Sequence, residues 1–124
     1  IADDPTNAYA HGLMAVWHIE VRRRGGALGA SIMGASVSAA RDHYASAIAA
    51  SPGDASIHWQ YARALTALNA KRYRSDIDAA LEAAASASAD SALERGMATR
   101  AATLTAALQT QSRRDVEALA EAML

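Results

Sequence analysis

The chain has 124 residues and a mass of 12.9 kDa, which is the size of one ordinary domain. Its formal net charge is −1, so no strong electrostatic field attracts it to nucleic acid or to an anionic membrane. Cys is absent, which excludes disulfide bonds, thiolate metal sites and a cysteine nucleophile. Ala accounts for 34 residues, whereas Pro occurs twice and Phe not at all. This composition predicts an all-α protein.

The first predicted helix spans residues 6–24. Pro5 and Thr6 mark its start, and Gly25 and Gly26 mark its end. Three consecutive arginines, at positions 22–24, fill the predicted last turn, where cations complement exposed carbonyl groups. The apolar residues that we expect to face the core, spaced mostly by three and four, are Tyr9, Leu13, Val16, Trp17 and Val21.

The second predicted helix spans residues 28–50, with a break near Gly34 as an alternative. Its expected apolar stripe includes Ile32, and Asp54 caps the next helix after a tight turn. The stretch from Gly25 to Ala40 is uncharged and rich in small residues. We therefore expect this stretch to be the surface for self-association or close packing.

Four more helices follow in the predicted order, over residues 54–69, 73–85, 91–108 and from Ser112 onward. Ser91 with Glu94 has the spacing of a capping box, and Ser112 with Asp115 has a weaker version of it. Six helices joined by such short turns predict antiparallel helical hairpins that stack side by side. An irregular helical bundle is the alternative architecture.

Two sets of residues carry a resemblance to a known family. The first set, Ala40, Tyr44, Ala47 and Pro52, has the spacing of the second helix of a tetratricopeptide repeat. The second set has the pattern of the following first helix and consists of Trp59, Tyr61, Ala62 and Leu65. The chain thus resembles a tetratricopeptide-repeat protein, most closely over residues 39–108.

The resemblance is uneven along the chain. Gly96 follows Ala62 by 34 residues, as this repeat requires, whereas Gly12 precedes Ala62 by 50. Tyr73 stands where the family has a small residue, and no Pro ends the second unit. The resemblance therefore implies one helical domain over residues 1–124. Its parts are an atypical first hairpin at 1–38, a repeat-like part at 39–108 and a C-terminal helix at 109–124.

The resemblance also implies a function. In tetratricopeptide-repeat proteins the first helix of each hairpin lines a concave groove that holds a peptide or protein partner. Carried over to this sequence, an exposed Trp59 beside Arg63 has the composition of a binding hot spot. The predicted groove residues are Ser56, Trp59, Gln60, Arg63, Thr66 and Arg95. The alternative for Trp59 is that it packs on the preceding hairpin.

The four histidines are the only residues that raise a metal or catalytic question. His11 and His18 lie seven residues apart on one predicted helix, while His43 and His58 flank a turn near Asp54. The sequence contains no nucleophile elbow, no strand before its Gly-rich stretch and no facing carboxylate pair. We therefore expect no enzymatic activity, no cofactor and no bound metal.

The sequence leaves two other function classes and two locations open. A helical bundle that binds a small molecule or a metal through its tryptophans and histidines is one alternative, and a purely structural homo-oligomer is another. No segment is long and apolar enough for a transmembrane helix, so we expect no membrane insertion. The chain begins at Ile1 without an initiator Met, which favours a periplasmic or secreted protein; a cytoplasmic location is the alternative.

Overall fold

A computed structural model describes residues 7–87 and 92–123, which form six α-helices and no strand. The predicted all-α fold with about six helices is confirmed. The chain divides into two compact units, residues 1–52 with the first two helices and residues 53–124 with the other four. The helices are α1 (Ala8–Met33), α2 (Val37–Ala50), α3 (Ala55–Asn69), α4 (Arg74–Ser86), α5 (Ala92–Thr110) and α6 (Arg113–Ala122).

Helix α1 consists of two helical segments. The first begins after Asn7, whose side chain accepts a hydrogen bond from the N–H of Ala10. Gly26 has φ 65° and ψ −168°, which is not a helical conformation, so the first segment ends there as the sequence predicts and a second segment runs on to Met33. Gly34, in the left-handed region at φ 71°, ends the second segment, at the break that the sequence offers as an alternative.

The arginine triplet lies directly before this break. The arginines at 22–24 stand in the last turn ahead of Gly26, where the sequence predicts them. Arg23 and Arg24 also both pair with Glu20, at 2.7 and 3.4 Å between nitrogen and carboxylate oxygen. These ion pairs join residues three and four positions apart on one helical segment.

In the first unit, α1 packs against α2 through small and polar side chains. The fully buried side chains of α2 are Ala40 and Ala47, which the sequence places on one face. Ser36 caps the N-terminus of α2 by accepting a hydrogen bond from the N–H of Ala39. The buried residues of α1 are His11, Ala15, His18, Ile19 and Ala30.

In the second unit, α3 is the central helix and packs against α4, α5 and α6. The predicted caps at Asp54 and Ser112 are confirmed, because each side chain accepts a backbone N–H of the helix that it opens. The predicted capping box at Ser91 lies outside the described residues. The larger buried apolar residues of this unit include Trp59, Tyr61, Leu65, Ile77, Leu81, Leu104 and Val116.

Two charged side chains also tie helices of the second unit together. The Glu117 carboxylate on α6 accepts the N–H of Ala70 at the end of α3, at 2.9 Å. The guanidinium group of Arg74 on α4 donates to the carbonyl oxygen of Leu108 on α5, at 3.1 Å. Both contacts join a charged side chain to a backbone group near the end of another helix.

Candidate interaction surface

Three of the six predicted groove residues lie inside the protein. Trp59 and Thr66 are 0% exposed, and Arg63 is 2% exposed. The Thr66 hydroxyl donates to the carbonyl oxygen of Ala62 at 2.7 Å, which is a contact within α3. The exposure expected for Trp59 and its neighbours is therefore wrong, because α3 is central to its unit rather than lining an open surface.

The other three predicted residues are more accessible. Ser56 and Gln60 are half-buried on α3, and the Gln60 amide oxygen accepts from Arg63 at 3.3 Å. Arg95 is exposed on α5. The six residues thus form no single exposed surface, and partner binding by Ser56, Gln60 and Arg95 stays a prediction.

Three histidines gather between the helices of the first unit. The Nδ1 atoms of His11 and His43 lie 2.9 Å apart, and the rings of His18 and His43 stack at a centroid distance of 5.6 Å. The Nδ1 atom of His18 accepts the backbone N–H of Ser36, at 3.1 Å. In the sequence, His43 and His58 flank a turn, which makes them the candidate pair. The structure instead brings His43 to the two histidines of α1.

This geometry forms hydrogen bonds and does not chelate a metal. The ring centroids of His11 and His43 are 5.2 Å apart, about the largest separation that a 2.9 Å contact between Nδ1 atoms permits. The two nitrogens therefore point at each other and not toward a common point, and one ring donates while the other accepts. Among the described residues, no group of three or more His, Asp or Glu side chains has a metal-binding arrangement.

Burial and the neighbouring histidines disfavour protonation of two of these rings, His18 and His43. Burial, and then the nearby His43, lower the pKa of His18. Burial, and then His11, lower the pKa of His43, although Asp42 acts in the opposite direction. Neutral rings match the hydrogen bonds observed, because the Nδ1 atom of His18 needs a free lone pair to accept the Ser36 N–H.

Several large apolar side chains of α1 face outward. Tyr9 is 74% exposed and Leu13 is 53% exposed, although both were expected to belong to the core stripe. Beyond the kink, Leu28 and Ile32 are each 75% exposed. Apart from Ile19, which is fully buried, the helix thus buries alanine and histidine and presents aromatic and aliphatic residues to solvent. This inversion of the usual pattern is the most informative surface feature of the first unit.

A groove of about 420 Å³ runs along this outward side of α1. Gly25 and Gly29 form its floor, where the helix has no side chains, and a Cβ added at Gly29 meets nothing within 4 Å. Glu20 and Arg24 supply its charged edge. The groove is lined by Trp17, Glu20, Val21, Arg24, Gly25, Gly29 and Met33. We call the groove and the exposed residues Tyr9, Leu13, Leu28 and Ile32 together the α1 face.

Spacing in the sequence could have located part of this groove. Trp17, Val21 and Gly25 recur at intervals of four before the break at Gly26, which places them along one ridge of the first segment. Gly29 and Met33 line the same groove from the second segment, and their position depends on the backbone at Gly26 rather than on spacing. Which side of the row faces the core is not encoded by apolar periodicity when the buried side consists mostly of alanine and histidine.

A second concave region, of about 310 Å³, lies in the second unit beside Lys71, Arg74 and Arg113. Three cations suggest an anion site, but two of them are already neutralised. Arg74 pairs with Asp78 at 2.9 Å, and Arg113 pairs with Glu117 at 2.8 Å. The α1 face therefore remains the stronger candidate surface.

Comparison with known proteins gives no relative from which a function can be transferred. No family model, no curated protein and no solved structure matches the chain. Within the described residues, no helix combines the length and the apolarity needed to cross a membrane.

Proposed function

We propose that this chain is a non-catalytic protein–protein interaction module, and that its α1 face binds an apolar face of a helix in the partner. The observation that carries the proposal is the exposure of large apolar side chains along α1. These side chains lie next to a groove floored by glycine. A helix fits such a groove because side-chain ridges pack between the ridges of a neighbouring helix.

The energetics favour covering this face. Each apolar side chain that leaves water contributes roughly 1.5–3 kcal/mol when it becomes fully buried. Tyr9, Trp17 and Met33 are also of the residue types that are enriched at the centres of protein interfaces. This stabilisation is absent while the α1 face is in water, and the complex gains it when a partner helix covers the face.

From the tetratricopeptide resemblance, the proposal keeps the stacked helical hairpins but not the binding groove on α3. A stack of helical hairpins that bind a partner is compatible with six short-linked helices. The buried Trp59 and Arg63 do not support a groove on α3. We therefore place the principal contact on α1 and keep Ser56, Gln60 and Arg95 as secondary predicted contacts.

A site-specific photocross-link tests the proposal. The photoreactive residue p-benzoylphenylalanine replaces Leu13 on the α1 face in one variant and Leu93 in the control, where it is 67% exposed on α5. Irradiation in the source cells is followed by mass spectrometry of the cross-linked peptides. We expect one dominant helical peptide with an apolar face at position 13 and none at position 93. Equal, diffuse cross-linking at both positions would overturn the proposal.

A further inference from the structure

We propose that the three histidines between α1 and α2 form a pH-sensitive switch, which holds α2 against α1 while the rings are neutral and releases α2 when the rings take up protons. His11 and His18 belong to α1, and His43 belongs to α2. The inference concerns the side of α1 that packs against α2, so it does not depend on a partner at the α1 face.

The hydrogen bonds of the cluster limit the number of protons that it can hold. The Nδ1 atoms of His11 and His43 face each other at 2.9 Å, so only one of them can carry a hydrogen, and the pair accommodates one added proton at most. The Nδ1 atom of His18 accepts the N–H of Ser36 at 3.1 Å, so a proton added to His18 breaks that bond. The packed helices therefore hold at most one of the three protons that separate histidine rings would bind.

The added charges would also repel one another. The rings of His18 and His43 stack at 5.6 Å between centroids, with 20° between their planes. His11 and His18 are only 8% and 6% exposed, so little water surrounds a charge on either ring. Burial first, and then the neighbouring rings, already lower the pKa of His18 and of His43.

The other ionisable side chains of the two helices do not titrate in the same pH range. They are Tyr9, Glu20, the arginines at 22–24, Arg41, Asp42 and Tyr44. Histidine is the residue type that ordinarily titrates between pH 5 and pH 8. Burial raises the pKa of Tyr44 to about 12. Asp42 favours protonation of His43 and so opposes the switch in part, whereas the arginines add positive charge and cannot offset it.

Helix α2 has few other contacts that would keep it packed. Its fully buried side chains are the methyl groups of Ala40 and Ala47, while Tyr44 and Ile48 are half-buried. Ser36, whose N–H is donated to His18, is also the residue that caps α2. Protonation therefore weakens the start of α2 and its middle together, and α2 should detach while the larger core of the second unit stays folded.

Spin labels on the full chain test the switch. The chain has no Cys, so two introduced cysteines place one label on each of two helices. Leu13→Cys with Ala49→Cys reports the distance between α1 and α2. The control pair, Glu82→Cys with Thr103→Cys, reports the distance between α4 and α5, and all four positions are exposed. Double electron–electron resonance measures both distances between pH 7.5 and pH 5.

We expect the first pair to show one short distance at pH 7.5 and a second, longer distance that grows as the pH falls below 6.5. The open state binds up to two more protons than the closed state. The ratio of open to closed chains should therefore rise by more than about tenfold, and up to about a hundredfold, per pH unit. The control pair should keep its distance.

Two histidine variants assign the effect. The double variant His18→Gln, His43→Gln removes two titrating rings and should keep the short distance at pH 5. The matched control is His58→Gln, at the fourth histidine, which lies on α3 and should open like the wild type.

Three results would overturn the switch. They are a first-pair distance that does not change, a change that the control pair shares, and a double variant that opens like the wild type. A wild-type ratio that rises by about tenfold or less per pH unit is the result for a single histidine and overturns it as well. This last result comes from the wild-type sequence at the histidines, so it decides even if the double variant does not fold.

Discussion

At the residue scale, the position of Trp59 in the fold changes its expected role from partner binding to core packing. It is fully buried, and its indole Nε1 has no hydrogen-bond partner among the described residues. An unsatisfied buried N–H costs about 1–3 kcal/mol, which the burial of the large ring offsets. Trp59 therefore stabilises the fold, and its substitution should act through folding rather than through binding alone.

We expect Trp59→Ala to lower the free energy of unfolding by about 3–5 kcal/mol, because it leaves a large cavity. Urea denaturation followed by circular dichroism measures the change. Leu93→Ala is the control, since an exposed leucine should change stability by no more than about 0.5 kcal/mol. A loss as small as that of the control would show that Trp59 lies at the surface.

The histidine cluster should make the free energy of unfolding depend on pH. The unfolded chain takes up protons at histidine near pH 6.5, whereas His18 and His43 resist protonation in the folded chain. The unfolded state consequently binds more protons just below that pH, and the free energy of unfolding falls as the pH falls. Protonated His18 also loses the hydrogen bond from Ser36, while Asp42 partly offsets the effect at His43.

We expect the chain to lose stability in urea between pH 7.5 and pH 5, with the loss beginning near pH 6.5. His18→Gln keeps an acceptor for the Ser36 N–H but cannot titrate, so its stability should depend less steeply on pH over this interval. Denaturation curves of both proteins at five pH values provide the measurement. If the free energy of unfolding of the variant depends on pH as steeply as that of the wild type, His18 is not a cause of the loss.

At the element scale, two of three glycines determine the course of α1. Gly26 supplies the backbone conformation of the kink, and Gly34 supplies the left-handed residue that ends the helix. Gly29 has helical backbone and open space around it, so it serves neither role. Because Gly29 has no side chain, it leaves room for the groove on the outer side of the helix.

The same substitution should therefore have opposite effects at two of these positions. Gly34→Ala should destabilise the chain by about 1–2 kcal/mol, because alanine is strained in the left-handed region. Gly29→Ala should stabilise the monomer by about 0.5–1 kcal/mol, because alanine favours the helix. Thermal unfolding at low protein concentration compares the two. The same sign at both positions would contradict the backbone assignment.

At the scale of the whole molecule, the chain consists of two compact units that differ in their packing. The second unit has four mutually packed helices, a capped start at Asp54 and a core of large apolar side chains. The first unit has two helices whose buried side chains are mostly alanine and histidine. Two helices with so few large buried side chains give little stability by themselves.

We expect a fragment of residues 53–124 to fold on its own, because α3 to α6 supply a shared core. The fragment should keep helical circular dichroism and unfold cooperatively in urea, whereas residues 1–52 alone should show a weaker transition without a sharp midpoint. A fragment 53–124 that is unfolded in buffer would show that the second unit depends on the first.

Much of the fold follows from local sequence. Helix-forming composition, the caps at Asp54 and Ser112 and the apolar spacing of α3 to α6 each act within a few residues of chain, so they are readable without tertiary structure. The glycines at 25 and 26 also act locally, since Gly26 has a non-helical conformation that glycine permits and interrupts α1 where the sequence predicts an end.

The sequence by itself determined the helical class, most helix boundaries and the absence of cysteine chemistry. Only the tertiary structure decided that Trp59 is core, that His43 joins His11 and His18, and that several large apolar residues of α1 face solvent. The physical reason is that alanine-rich helices have two faces that differ little in hydrophobicity. Close packing then selects the buried face by shape and hydrogen bonding, which depend on residues distant in the chain.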